Sequence, residues 1–241
     1  MSYKQVDLPK VGLVKLYKRR DARNLKVTVN QNGEVRVTLP SMVPYAVGIK
    51  FVSSKVDWIQ KQRNGQQIFL KHNERIGKAH HLVLYKQNDI SQIKTKIKDN
   101  LVMVSYPPNY SKNDQQVQTK ARTAVTRALK LEADSLLPQR LDYLSAKTGL
   151  QFNGVKTRYL KSRWGSCNHK NDLVLNVYLL QLPWELIDYV LLHELTHTRV
   201  LSHGPRFWSE FEKHLPNAKK MRTKIRHYRP YGDIDEKLSV I

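Results

Sequence analysis

With 241 residues the chain can form one large domain or two small ones, each with a core of its own. Its 42 lysines and arginines against 20 aspartates and glutamates give a net charge of +22. That excludes an acidic surface and favours polyanionic partners, nucleic acid or nucleotides first, or else a solvated basic surface that binds them without specificity.

The single cysteine, Cys167, excludes an intramolecular disulfide and any site built from several thiolates. The opening MSYKQVDLPKVGLVKLYKRRDARN lacks the apolar run of a signal peptide, and no stretch approaches the roughly eighteen apolar residues of a membrane span. A soluble, cytoplasmic protein without a membrane partner is expected.

Residues 1–108 read mainly as strands. In LKVTVNQNGEVRVTLP, Leu25, Val27 and Val29 alternate, as do Val35, Val37 and Leu39, with Asn32-Gly33 between them as a hairpin turn. The period then changes: Pro44 suits a first helical turn, and Ile49, Val52, Val56 and Ile59 follow at helical spacing. A second hairpin is expected over 81–106, with Leu82 and Leu84 before and Leu101 and Met103 after a turn at Asp99-Asn100.

YPPNYSKNDQQ, residues 106–116, has the composition of a boundary and divides a β-rich region with one helix, 1–108, from 109–241. A long helix follows over 115–147, burying Ala121, Val125, Leu129, Leu136, Leu137, Leu141 and Leu144, with Gly149 as its C-terminal cap. No internal repeat and no low-complexity tract is evident. Beyond 151 the order is strand (VKTRYL), turn (RWGSCNHKND), strand (LVLNVYLL), then helices opening at Pro183, Pro205 and Asn217. The fold class is α+β.

His193 and His197, four apart in PWELIDYVLLHELTHTRV, share one helix face and can bind one zinc ion. Glu194 lies about 100° round the helix, so it suits a general base acting on water rather than a third ligand. His203 would stand about 120° off the ligand face in a continuous helix. Ser202 and Gly204-Pro205 break the helix there, which lets His203 return as third ligand and leaves one position for water. The competing reading is a surface helix with scattered histidines; the apolar IDYVLL ahead of the motif argues for a buried one.

RWGSC (163–167), LVLNVYLLQLP (173–183), DYVLLHELTH (188–197) and SHGPRFW (202–208) closely resemble the YgjP-type zinc metallopeptidases, zincins related to the SprT and WLM groups. The resemblance runs from about Tyr159 to Arg222, with a weaker echo in FVSSKVDWI. It implies one zinc per chain on His193, His197 and His203, Glu194 as catalytic acid and base, and a small zincin-like core, an active-site helix beside a short sheet, within 109–241. Metzincins share the histidine spacing but place glycine where this chain has Val200, so the resemblance does not extend to them.

Other residues have two readings. Arg163 or Ser166 could line a substrate cleft and Cys167 could approach the metal, against a tight turn at Gly165 packed by Trp164 with Cys167 as a small buried side chain. Tyr189 and His214 could stabilise an oxyanion, although His214 also suits a helix end. Phe207 and Trp208 are expected to pack behind His203, while His72, His80, His81 and His169 have no partner at ligand spacing. The expected activity is zinc-dependent hydrolysis of a protein or peptide; the alternatives are a metal-dependent phosphohydrolase acting on nucleotides, or a nucleic-acid-associated SprT-like protease.

Overall fold

The structure is a computed structural model that describes residues 3–29, 33–66, 69–226 and 228. The chain forms two compact units, Met1–Ile68 and Phe69–Ile241.

In the first unit β1 (Tyr3–Leu8), β2 (Gly12–Arg19), β3 (Lys26–Val29) and β4 (Val35–Pro40) form a sheet in the order β1-β2-β4-β3. β1 and β2 are antiparallel, as are β3 and β4, but β2 and β4 run parallel. The hairpin expected at Asn32-Gly33 joins β3 to β4; Gly33 has φ +74°, and Asn32 lies outside the described residues. One face of the sheet buries Val14, Leu16, Val35, Val37 and Leu39, and α1 (Tyr45–Ser53) and α2 (Val56–Gln66) add Val52 and Ile59. A β-carbon on Gly48 of α1 would come within 2.6 Å of Leu39 Cδ2, so glycine allows that close approach.

The second unit opens with β5 (Glu74–Arg75), β6 (His81–Lys86), β7 (Lys94–Lys98) and β8 (Leu101–Tyr106), in the order β5-β6-β8-β7. The span 81–106 is therefore not one hairpin. The turn at Asp99, φ +52°, joins β7 to β8, and β6 pairs with β8 in parallel. The missed strand, KTKIK, turns lysines outward at every second position, so it carries too little apolar alternation to announce itself.

α3 (Gln115–Thr148) packs on this sheet, with Val117, Ala121 and Val125 in one core with Val102 and Val104. Residues 107–114 are thus a loop inside the second unit. Prolines and asparagines mark the chain leaving regular structure, not a loss of tertiary contact, and the division between units falls at 68/69 instead. α3 ends at Gly149, φ +71°.

A second sheet follows, β9 (Gly154–Arg158), β10 (Gly165–Cys167) and β11 (Asp172–Asn176), ordered β10-β11-β9 with β10 at one edge. α4 (Trp184–His197) is buried against α3, β10, α5 (Pro205–His214) and α6 (Ala218–Ile225). No helix among the described residues is long and apolar enough to cross a membrane.

Candidate metal centre

α4 carries His193 and His197 one turn apart on its buried side, both sealed in the core. The helix ends at Thr198 in a closing turn in which Arg199 and Val200 both donate to the Thr196 carbonyl. Pro205 starts α5 with Gly204 as an extended N-cap. The intervening segment brings exposed His203 back over α4.

The three Nε2 atoms form a nearly equilateral triangle: 3.0 Å from His193 to His203, and 3.1 Å from His197 to each. A tetrahedral ion with nitrogens at about 2.0–2.1 Å holds them about 3.3–3.4 Å apart, so the triangle is slightly tight but the right size. The chemistry of the donors agrees. Burial pushes His193 down to about 2, helped by the neighbouring imidazoles and Arg222, and burial likewise lowers His197 and His203. All three rings are neutral at pH 7, the form that binds a metal, and three lone pairs facing one point call for a cation. His197 Nδ1 lies 3.1 Å from the Val200 carbonyl, which fixes the tautomer that leaves Nε2 free for coordination.

The surrounding contacts hold the rings in place. Phe207, fully buried, has its ring centre 4.6–5.0 Å from all three imidazoles. Trp208 Nε1 donates to the His203 carbonyl at 3.1 Å, and the Arg222 guanidinium lies 4.9 Å over the Trp208 ring.

Glu194 is only 1% exposed, and its Oε1 has no hydrogen-bond partner. It presses against β10 so closely that a β-carbon on Gly165 would lie 2.6 Å from Oε1. Burial pushes its carboxyl up to about 8, against a downward pull from Arg163. Burial without a hydrogen-bond partner thus raises the proton affinity of this carboxyl.

The remaining candidates divide. Arg163 is exposed at the mouth of β10 and acts on Glu194 through its charge; Ser166 is half-buried in β10 opposite Val174. Trp164 is buried in the core. Cys167 lies outside the histidine cluster, its thiol pushed up to about 11 by burial, then by Glu194 and Asp172. Tyr189 is fully buried one turn before His193, with its hydroxyl unpartnered and pushed up to about 12 by burial. His214 Nε2 lies 3.7 Å from Glu210 Oε1 at the end of α5.

Sequence reasoning missed three things. Gly165 is the place where Glu194 meets the sheet, and Arg222 backs Trp208; neither has a signal in a single sequence. His80, expected at the surface or in a strand with no partner at ligand spacing, is buried and bonds through Nδ1 to Glu132 Oε1 of α3 at 2.7 Å. Glu132 also accepts from the backbone N–H groups of Lys78, Ala79 and His80.

The family model described as "YgjP-like, metallopeptidase domain" matches residues 23–228. The metallopeptidase zymogen abylysin of Pyrococcus abyssi is similar at 29% identity and a TM-score of 0.35, over 37% of this chain and 91% of its own. The zymogen jannalysin of Methanocaldococcus jannaschii is similar at 22% identity and a TM-score of 0.34, over 37% and 92%. No curated protein matches the sequence.

Proposed function

Because the chain belongs to the YgjP-like metallopeptidase family, and so to the hydrolases, we propose that it is a zinc-dependent peptidase whose proton-handling group is Glu194. What carries this reading is the convergence of three neutral Nε2 atoms at 3.0–3.1 Å beside a helix that buries an unpartnered carboxyl. Zinc held there would supply a Lewis acid, lowering the pKa of water and polarising a carbonyl. His193, His197 and His203 supply three ligands and leave an open position.

Glu194 takes the proton from the attacking water and delivers it to the departing amine. Gly165 lets β10 lie against the carboxyl, which excludes water from that side. Arg163 limits how far burial raises its pKa. β10 is the edge of its sheet, so its outer backbone groups are available to an extended peptide laid along it, with Ser166 and Arg163 beside the chain.

The test combines two variants. Glu194→Gln is expected to keep stoichiometric zinc while hydrolysis of an unfolded protein substrate falls by about 10²–10⁴. His203→Ala is expected to lose the zinc by elemental analysis. Undiminished turnover in the first variant, or hydrolysis of nucleoside triphosphates in preference to protein, overturns the proposal.

A further inference from the structure

The two four-stranded sheets share more than their order. A shift of 68 residues carries the pair Val6↔Val14 to Glu74↔Leu82, and so carries β1 and β2 onto β5 and β6. The same shift carries β3 onto β7, and 67 residues carry β4 onto β8. Leu16↔Val37 thereby becomes Leu84↔Val104, and Lys26↔Thr38 becomes Lys94↔Ser105. The one-residue difference falls in the turns between β3 and β4 and between β7 and β8. Leu16-Tyr17-Lys18 recurs as Leu84-Tyr85-Lys86. The N-terminal half of the chain is an internal repeat that the sequence hid behind few identities and one deletion.

Each copy packs its helices on one face; in the second copy the other face exposes Tyr85 and the lysines of β7 and half-buries Val83 and Met103. On that face most positions have changed between copies: Lys15 corresponds to Val83, and Arg36 to Met103. One row has not. Tyr17–Thr38–Lys26 in the first copy is Tyr85–Ser105–Lys94 in the second: an aromatic ring, a hydroxyl residue and a lysine across three adjacent strands, with Ser105 buried between the exposed ring and the exposed lysine.

In the second copy the row sits in a stronger field. Lys94, Lys96 and Lys98 project from edge strand β7 on this face, about 6.8 Å apart, and none makes an ion pair among the described residues. Tyr85 is 39% exposed. The outward positions of the four strands include no acidic residue.

We propose that this face of β5-β6-β8-β7 binds single-stranded nucleic acid, with a base stacked on Tyr85 and the phosphate backbone running along the lysines of β7. An aromatic platform beside a line of cations is how sheet surfaces hold unpaired bases without reading sequence. An acidic peptide would use the lysines but has no need of the ring, whereas the row kept in both copies includes the ring. The inference is independent of the metal site.

The test is fluorescence anisotropy of a labelled oligothymidine of about 20 nucleotides with the full chain, in chelator, across a salt series. Tyr85→Ala is expected to weaken binding about tenfold and Tyr85→Phe to leave it unchanged, since stacking needs the ring and not the hydroxyl. Changing Lys94, Lys96 and Lys98 together to Gln is expected to reduce the slope of log affinity against log salt by about 2. The same change at exposed Lys112, Lys120 and Lys147 is expected to reduce it less. Thermal melts check that each variant is folded.

The proposal is overturned if Tyr85→Ala binds like the unaltered chain, or if both lysine sets lower the slope equally. Tighter binding of duplex, or displacement of the oligonucleotide by polyglutamate at lower charge concentration than by unlabelled oligothymidine, overturns it as well.

Discussion

At the scale of single residues, the site depends on a side chain that is missing. Gly165 has an ordinary backbone, and its role is spatial: any β-carbon there meets Glu194 Oε1, Cγ and Cδ at 2.6–2.9 Å. Gly165→Ala is expected to displace the carboxyl or push β10 away, costing about 1–3 kcal/mol of stability. Turnover should fall while zinc binding, which uses His193, His197 and His203, is retained. Elemental analysis beside a kinetic assay checks the pair of outcomes, and simultaneous loss of zinc would show that the strain spreads to the histidines. The histidine triad was legible because its geometry is local: helix periodicity aligns two rings, and Ser202 to Pro205 supplies the break that returns the third. The contact between Gly165 and Glu194 was not, because nothing in a local pattern says which strand a helix will touch.

Among elements, the least legible feature was strand pairing. Alternation identifies a strand and its buried face, but β2 with β4 and β6 with β8 are parallel pairs, each separated by a further strand that pairs on the far side. β10 has three residues, too few for a period. The join between α3 and the β5–β6 connection was equally hidden, since Glu132 and His80 are 52 residues apart. Burial acts to raise the Glu132 carboxyl, but the N–H groups of Lys78, His80 and Ala79 and the His80 ring outweigh it, leaving the pKa below its usual value near 4.5. A carboxyl depressed in the folded state contributes stability above its unfolded pKa and loses that contribution as pH falls through the folded one. Glu132→Ala is therefore expected to cost about 3 kcal/mol at pH 7, by urea denaturation, with the deficit shrinking below about pH 4. A deficit that is the same at both pH values would mean that packing, and not the carboxylate clamp, holds the loop to α3.

For the whole molecule, the division into two compact units predicts two thermal transitions, of which only one includes the histidines. An ion that binds only the folded form stabilises it by about 2.7 kcal/mol at a hundred times its dissociation constant. Zinc should therefore raise the transition of 69–241 by roughly 5–10 °C and leave the other in place. Calorimetry with and without zinc checks this, and the shift should be absent in His203→Ala. Movement of both transitions together would show that the units melt as one. His193 and His197 on α4 are buried in the core, while His203 stands at the surface on a separate segment. If zinc sits on these three histidines as proposed, the exposed ring of His203 is the side on which it meets solvent. The metal is then a visitor at the surface and not a keystone, so a chelator should strip it from the native protein without opening the core.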